Sequence, residues 1–275
     1  MLKLIPRTRT TVPIEAEVIT PDTLGSLDAT AVAHQTVYHG NRKEALGEFF
    51  KVEGRADDGL ILIEGDVSHV KWIGAGMTKG TIIVDGNVGM HLGAEMRGGR
   101  IEVRGNVGDW CGAEMRGGLI EVHGDAGHLL GAAYRGSARG MRGGTIVVHG
   151  RAGNEVGSTM RRGLIVVRGE VADFCGVSMI AGTIVLGAQP GLRTGAGMKR
   201  GTILLVPPEP PNTLPELLPT FRFAARFQPV FVRVLAEHLT NLGFPFPEPA
   251  KAANYLRFSG DLAEKGLGEI LIWSP

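Results

Sequence analysis

The sequence predicts an all-β protein built as a parallel β-solenoid, followed by an extension that contains one helix. Three observations carry this: a repeat of about 19 residues, two apolar columns within it, and a glycine that closes every complete row. Rows that begin at Leu60, Thr81, Arg100, Leu119, Thr145, Leu164, Thr183 and Thr202 bring the repeat into register. Five of the seven steps between these starts are 19 residues, the first is 21, and the step from Leu119 to Thr145 is 26 because YRGSARG adds seven. The heptad GAEMRGG, at Gly93 to Gly99 and again at Gly112 to Gly118, is this repeat at its most regular.

Each column has a physical reason. The second position of every row is isoleucine (Ile61, Ile82, Ile101, Ile120, Ile146, Ile165, Ile184, Ile203) and the fourth is Ile63, Val84, Val103, Val122, Val148, Val167, Leu186 or Leu205, the alternation of a half-buried strand. A third inward column is methionine in all complete rows, from Met77 to Met198, a flexible core filler. The closing glycines, Gly80, Gly99, Gly118, Gly144, Gly163, Gly182 and Gly201, mark corners that need a positive φ or a close backbone approach. One such row cannot bury its apolar side alone. Rows stacked at about 4.8 Å can, with each buried Ile or Met contributing on the order of 1.5–3 kcal/mol.

The boundaries follow from texture. Residues 1–59 are read as an N-terminal cap, with GEFFKVEG (Gly47 to Gly54) as a degenerate leading row; residues 60–206 are the repeats. Residues 207–275 begin with the Pro-rich PPEPPNTLPELLP and continue to a helix at Val230–Leu242, whose apolar face is predicted as Phe231, Val234, Leu235, His238 and Leu242. The outward stripe Val147, Val166, Val185 and Leu204 needs a cover, and this helix is the expected one.

Composition narrows the function classes. Forty-two glycines in 275 residues fit a chain of many turns, and a net charge of +1 with no basic run interleaved with aromatics argues against nucleic-acid binding. No run of about 18 apolar residues occurs, so no membrane span is expected and a cytoplasmic location is. Cys111 and Cys175 share a column three rows apart, about 14 Å, too far for a disulfide. His123 and His149 share an outward column with Glu64, Asp85, Arg104 and Arg168; the reading is a solvated charged face and no metal site. No GxSxG, HExxH or P-loop is present, and no region concentrates acid, base and nucleophile, so no catalytic residue is expected on this chain.

One column raises a binding question. The residue after each methionine is Thr78, Arg97, Arg116, Arg142, Arg161, Ile180 or Lys199, with Lys79, Arg162 and Arg200 beside it. A line of like charge repels itself unless anions answer it. Glu95 and Glu114 are expected to answer two members. Arg97, Arg116, Arg142 and Arg161 are the candidate contacts for an anionic cofactor tail or partner surface.

The runs GAEMRGGRIEVRGNVGDWCGAEMRGG and YRGSARGMRGGTIVVHGRAGNEVGSTMRRG resemble the C subunit of formylmethanofuran dehydrogenase and of its bacterial counterpart, the formyltransferase/hydrolase complex. The likeness covers about residues 40–206, and the tail YLRFSGDLAEKGLGEIL is similar to the bacterial branch. A looser resemblance is to the GXGXG domain of glutamate synthase large subunits, in which such a coil spaces two active sites. The resemblance implies a right-handed β-helix, a hand that the period alone does not fix. It also implies a non-catalytic structural subunit in tetrahydromethanopterin- and methanofuran-linked one-carbon metabolism. Its expected partners are a formyltransferase-type D subunit, an amidohydrolase-like A subunit and a B subunit, with no cofactor held by this chain alone and a methanofuran-type cofactor in the complex. The alternatives are an archaeal-type molybdenum or tungsten formylmethanofuran dehydrogenase and a glutamate-synthase-like spacer.

Overall fold

The computed structural model describes residues 1–7 and 9–274 of the chain. Its main feature is a 13-stranded, mostly parallel sheet in which each repeat row contributes one strand, from Leu60–Glu64 to Thr202–Leu205. The rows pair in the register that the repeat dictates. Ile61 lies beside Ile82, Ile120 beside Ile101 and Ile146, and Ile184 beside Ile203. Both apolar columns and all seven row methionines are buried in one continuous core. The seven closing glycines have φ between +80° and +110°, the region in which a Cβ is strained.

A second line of contacts runs along the far side of every row, through isolated parallel bridges from Val67 to Val88, Val107, Ala126, Ala152, Val171 and Pro190. Beside it, side chains continue the ladder that the backbone leaves open at the bends. Asn87 Oδ1 accepts from the Asn106 N–H, Asn106 Oδ1 from the Asp125 N–H, and Asp125 Oδ1 from the Arg151 N–H, at 2.8, 2.8 and 2.7 Å. Each bond satisfies a backbone donor of the next row. The Arg151 N–H, with the Arg151 guanidinium, holds the Asp125 carboxyl below its ordinary range.

The chain's own ends complete the stack. Leu2–Pro6 lies parallel to the first row with Leu2 beside Ile61 and Leu4 beside Ile63, and Gly268–Ser274 lies parallel to the last with Ile270 beside Ile203 and Ile272 beside Leu205. Antiparallel strands then finish each side: Phe50–Gly54 beyond the first, and Asn254–Gly260 with Arg222–Phe227 beyond the last. This corrects one expectation. GEFFKVEG is not a leading row; its strand runs antiparallel to Leu2–Pro6, which occupies the leading place. A second, four-stranded sheet gathers Ile14–Glu15, Thr36–His39, Arg42–Ala45 and Val70–Lys71.

The C-terminal helix forms at Phe231–Asn241 and covers the outward stripe. Val147, Val166, Val185 and Leu204 are fully buried in a second core with Val232, Ala236 and Leu239 of the helix and with Phe244 and Phe246 beyond it. The expected face is corrected in part: Leu235 and Leu242 pack half-buried against this core, but Phe231 is 42% and Val234 68% exposed, His238 is exposed, and Val232, Ala236 and Leu239 point inward. The helix is apolar on two faces, and Phe244 and Phe246, folding back onto the sheet, join the face that carries the small Ala236.

The seven-residue insertion leaves the stack and returns over a corner. There Tyr134 stacks on Trp110 at 5.0 Å and its hydroxyl meets His91 Nδ1 at 3.0 Å, while His91 stacks on Trp72 at 4.2 Å. Burial pushes His91 down from its ordinary 6.5 to about 4, so this corner holds a neutral imidazole at neutral pH. Cys111 and Cys175 are free, buried thiols, pushed up to about 12 by burial.

Candidate functional site

The basic column follows from the stacking. The N–H of each residue after a row methionine donates to the carbonyl of the methionine one row earlier: Arg97 to Met77 at 2.8 Å, Arg116 to Met96 at 2.7 Å, Arg142 to Met115 at 2.6 Å, Arg161 to Met141 at 2.8 Å and Lys199 to Met179 at 2.7 Å. Their Cα atoms therefore climb one edge at the row spacing, about 4.8 Å. At 0.1 M salt the Debye length is about 10 Å, longer than that spacing, so neighbouring cations on this edge feel one another unless a carboxylate intervenes.

In the lower rows one does intervene. Arg116 pairs with Glu95 at 2.9 Å and Arg142 with Glu114 at 3.5 Å, each acid lying one row below its arginine, as the repeat predicts. At the foot of the edge Thr78 has no charge and bonds Asp22 through its N–H at 2.8 Å and its hydroxyl at 2.5 Å. Burial works to raise the Asp22 carboxyl, and these Thr78 bonds with nearby Lys79 outweigh it and hold it below its ordinary value.

In the upper rows the acids are gone. Where Glu95 and Glu114 stand before their methionines, the later rows carry Thr159, Ser178 and Gly197. There the edge opens into a groove of about 650 Å³ lined by Arg161, Arg162, Lys199, Arg200 and Lys265, with Glu264 the lone acid and Gly163, Gly182 and the uncharged Ile180 and Ala181 between the cations. Among the described residues none of these five cations is ion-paired. The four sequence candidates thus divide. Arg161 lines the groove, Arg116 and Arg142 are paired outside it, and Arg97 is exposed on the lower edge without a carboxylate partner. Sequence reasoning named Lys199, Arg162 and Arg200 as neighbours of the column but missed Lys265, which the C-terminal extension brings from 64 residues beyond Gly201. Such a groove suits an extended polyanion: it offers several cations on flexible stems and no metal-ligating or nucleophilic set.

The outward histidine column is largely the expected solvated face, with Asp85, Arg104, His123 and Arg168 exposed, and it departs from it at His149. Among its members His149 is half-buried and meets Glu121 Oε1 through Nε2 at 3.1 Å, and its ring stacks on His123 at 5.2 Å. Glu121 itself is buried, with Arg100 on its other oxygen at 2.5 Å.

Among known proteins, no family model matches the chain. It is 34% identical to, and superposes with a TM-score of 0.89 on, a chain of the crystal structure of the formyltransferase/hydrolase complex from Methylorubrum extorquens in complex with methylofuran, covering 99% of this chain and 100% of that one. It is also 47% identical over 90 residues to the C subunit of the molybdenum-containing formylmethanofuran dehydrogenase 1 of Methanothermobacter marburgensis. The chain belongs to the family of formylmethanofuran dehydrogenase C subunits. The likeness to the dehydrogenase chains is local: it takes in 32% of this chain and 22% of the M. marburgensis protein. For the C subunit of the tungsten-containing enzyme 2 of Methanothermobacter thermautotrophicus, 39% identical over 93 residues, the shares are 32% and 34%. No helix among the described residues is long and apolar enough to cross a membrane.

Proposed function

We propose that this chain is the structural C subunit of a cytoplasmic formyltransferase/hydrolase complex, and that its basic groove holds the anionic tail of a methanofuran-type cofactor. In this reading residues 60–206 are a right-handed parallel β-helix, residues 1–59 cap one end, and residues 207–275 cap the other and supply Lys265 to the groove. The chain docks a formyltransferase-type D subunit, an amidohydrolase-like A subunit and a B subunit, and formyl groups pass from formyl-tetrahydromethanopterin to the cofactor and on to formate on those other chains. The observation that carries the reading is full-length likeness, at TM-score 0.89, to a chain of a complex crystallised with methylofuran. The five unpaired cations supply the chemistry for a glutamate-containing tail: each carboxylate can take a charge-assisted hydrogen bond, and the Arg161 and Lys199 rows, two row spacings or roughly 10 Å apart, span about three residues of an extended chain. The archaeal dehydrogenase alternative has less support, since the molybdenum- and tungsten-containing relatives match only about a third of this chain.

Purification of the tagged chain from its native cell, with mass spectrometry of what accompanies it, tests the docking role. A formyltransferase and an amidohydrolase-like protein in fixed ratio are expected; a lone chain would overturn it, and a molybdenum- or tungsten-containing partner would move it to the dehydrogenase branch. In the purified complex, Gln at positions 161, 162, 199 and 200 should slow coupled turnover while each half-reaction, assayed with its own soluble substrate, keeps its rate. Unchanged coupled turnover would remove the groove from the proposal.

A further inference from the structure

The geometry points to a binding site for one divalent transition-metal ion of the zinc class, formed by Glu121, His123 and His149 with Glu102 at its edge. The strand places the first two: residues two apart project from the same face, so Glu121 and His123 stand together on the outward side. Row stacking places the others. Glu102 pairs with Glu121 from the row below, and His149 follows His123 from the row above, with the imidazole planes 9° apart.

The donor atoms converge. His149 Nε2 is 3.1 Å from Glu121 Oε1, His123 Nε2 is 3.7 Å from Glu102 Oε1, and the ligand atoms of Glu121, His123 and His149 all lie within 4.8 Å of one another. No other group of three such residues among those described meets this condition. Donors around a tetrahedral ion at about 2.1 Å lie roughly 3.4 Å apart, so the set needs to close by about 1 Å, a movement the exposed His123 side chain can supply by rotation.

Arg100 prepares the site. Its guanidinium takes the outer oxygens, Glu121 Oε2 at 2.5 Å and Glu102 Oε2 at 3.3 Å, and leaves both Oε1 atoms facing the imidazoles. With neutral histidines, two carboxylates and one arginine leave a net charge of −1, which a divalent ion reverses. Burial sharpens the need: the Glu121 side chain is 11% exposed and His149 16%, under Gly243 at the end of the C-terminal helix, whereas His123 at 44% leaves a path from solvent. A buried carboxylate gains most from a second cation. Imidazole nitrogen with carboxylate oxygen is a borderline donor set that suits zinc, cobalt or nickel; calcium would require six or more oxygens. A bound ion would tie two rows together beneath the helix, independently of what the basic groove holds.

The test uses the full-length untagged chain, dialysed against a chelator and then titrated with Co²⁺ followed by Zn²⁺. One equivalent of Co²⁺ should give visible absorption of four-coordinate intensity that one equivalent of Zn²⁺ displaces, and Zn²⁺ should raise the melting temperature. His123→Ala, at an exposed position that the fold does not need, should weaken Zn²⁺ binding on the order of 100-fold and abolish both responses, as should Glu121→Gln where it folds. Co²⁺ that keeps the pale spectrum of its hydrated ion, or equal binding by the wild-type chain and His123→Ala, would overturn the site.

Discussion

The lower and upper halves of the basic edge share one backbone and differ in what stands beside each arginine. Arg116 and Arg142 are answered by Glu95 and Glu114, and each is followed by a Gly-Gly corner. Arg161 and Lys199 have Gly140 and Ser178, one row below, in place of a glutamate, and the first glycine of the corner is replaced by Arg162 and Arg200. The exchange is steric as well as electrostatic. A Cβ on Gly117 or Gly143 would sit 2.4 Å from the carbonyl oxygen of the residue one row below, whereas the upper corners hold the side chains of Arg162 and Arg200 at the same place. A uniform ladder thus carries two answered arginines below and an unanswered group of cations above without a change of fold.

Four measurements test this contrast, taken from the largest expected effect to the smallest. Gly117→Arg places the upper sequence on the lower corner and should cost about 3 kcal/mol or more through the clash with the Arg97 carbonyl, lowering the melting temperature by roughly 6–12 °C. Its mirror, Arg162→Gly, should move the midpoint by no more than a few degrees; equal effects would show that the two corners are sterically alike. Loss of the four upper charges in the Gln variant at 161, 162, 199 and 200 should weaken binding of a short polyglutamate peptide on the order of 30-fold, about 2 kcal/mol, at low salt, and titration calorimetry at 0.05 and 1 M salt should show the difference vanish. Gln at 97, 116 and 142 should weaken it by less than about threefold; a larger loss would place the tail on the lower edge instead.

Ser178→Glu places an acid one row below Lys199, as Glu95 stands below Arg116. Fluorescence anisotropy with a labelled polyglutamate peptide should then show affinity reduced about threefold. No change would mean that the added acid does not reach Lys199. The smallest effect concerns His91 in the aromatic corner, whose upper counterparts in the column are Glu155, Phe174 and Arg193. Its folded value of about 4 lies below its unfolded 6.5, so the unfolded chain binds more protons between these values and stability falls as pH drops through that window, levelling below about 4. His91→Phe should flatten that part of a melting-temperature profile; an identical slope in the variant would assign the acid sensitivity elsewhere.

Much of this was legible because the repeat makes neighbours of residues 19 apart. The inward Ile and Val columns, the methionine core, the glycine corners and the pairing of Glu95 and Glu114 with the next row's arginines all follow from laying one row on another. The expectation failed where no repeat exists. GEFFKVEG has the apolar texture of a row, yet nothing local says that Leu2–Pro6 will take the parallel place and leave it antiparallel. The helix offers two apolar faces, and periodicity has no means to choose between Val234 and Val232; contact with the stripe and with Phe244 does.

The sequence by itself determined the row, its register and the columns of charge, since a strictly periodic chain stacked at one spacing has little freedom in what meets what. Only the tertiary structure decided how the ends close. It brought Gly268–Ser274 in as the last parallel strand, carried Lys265 to the basic groove, laid the helix over Val147 to Leu204, and buried Glu121 against Arg100 and His149. Those contacts join residues with no fixed separation along the chain, and they are set by which apolar surface remains uncovered once the rows have formed.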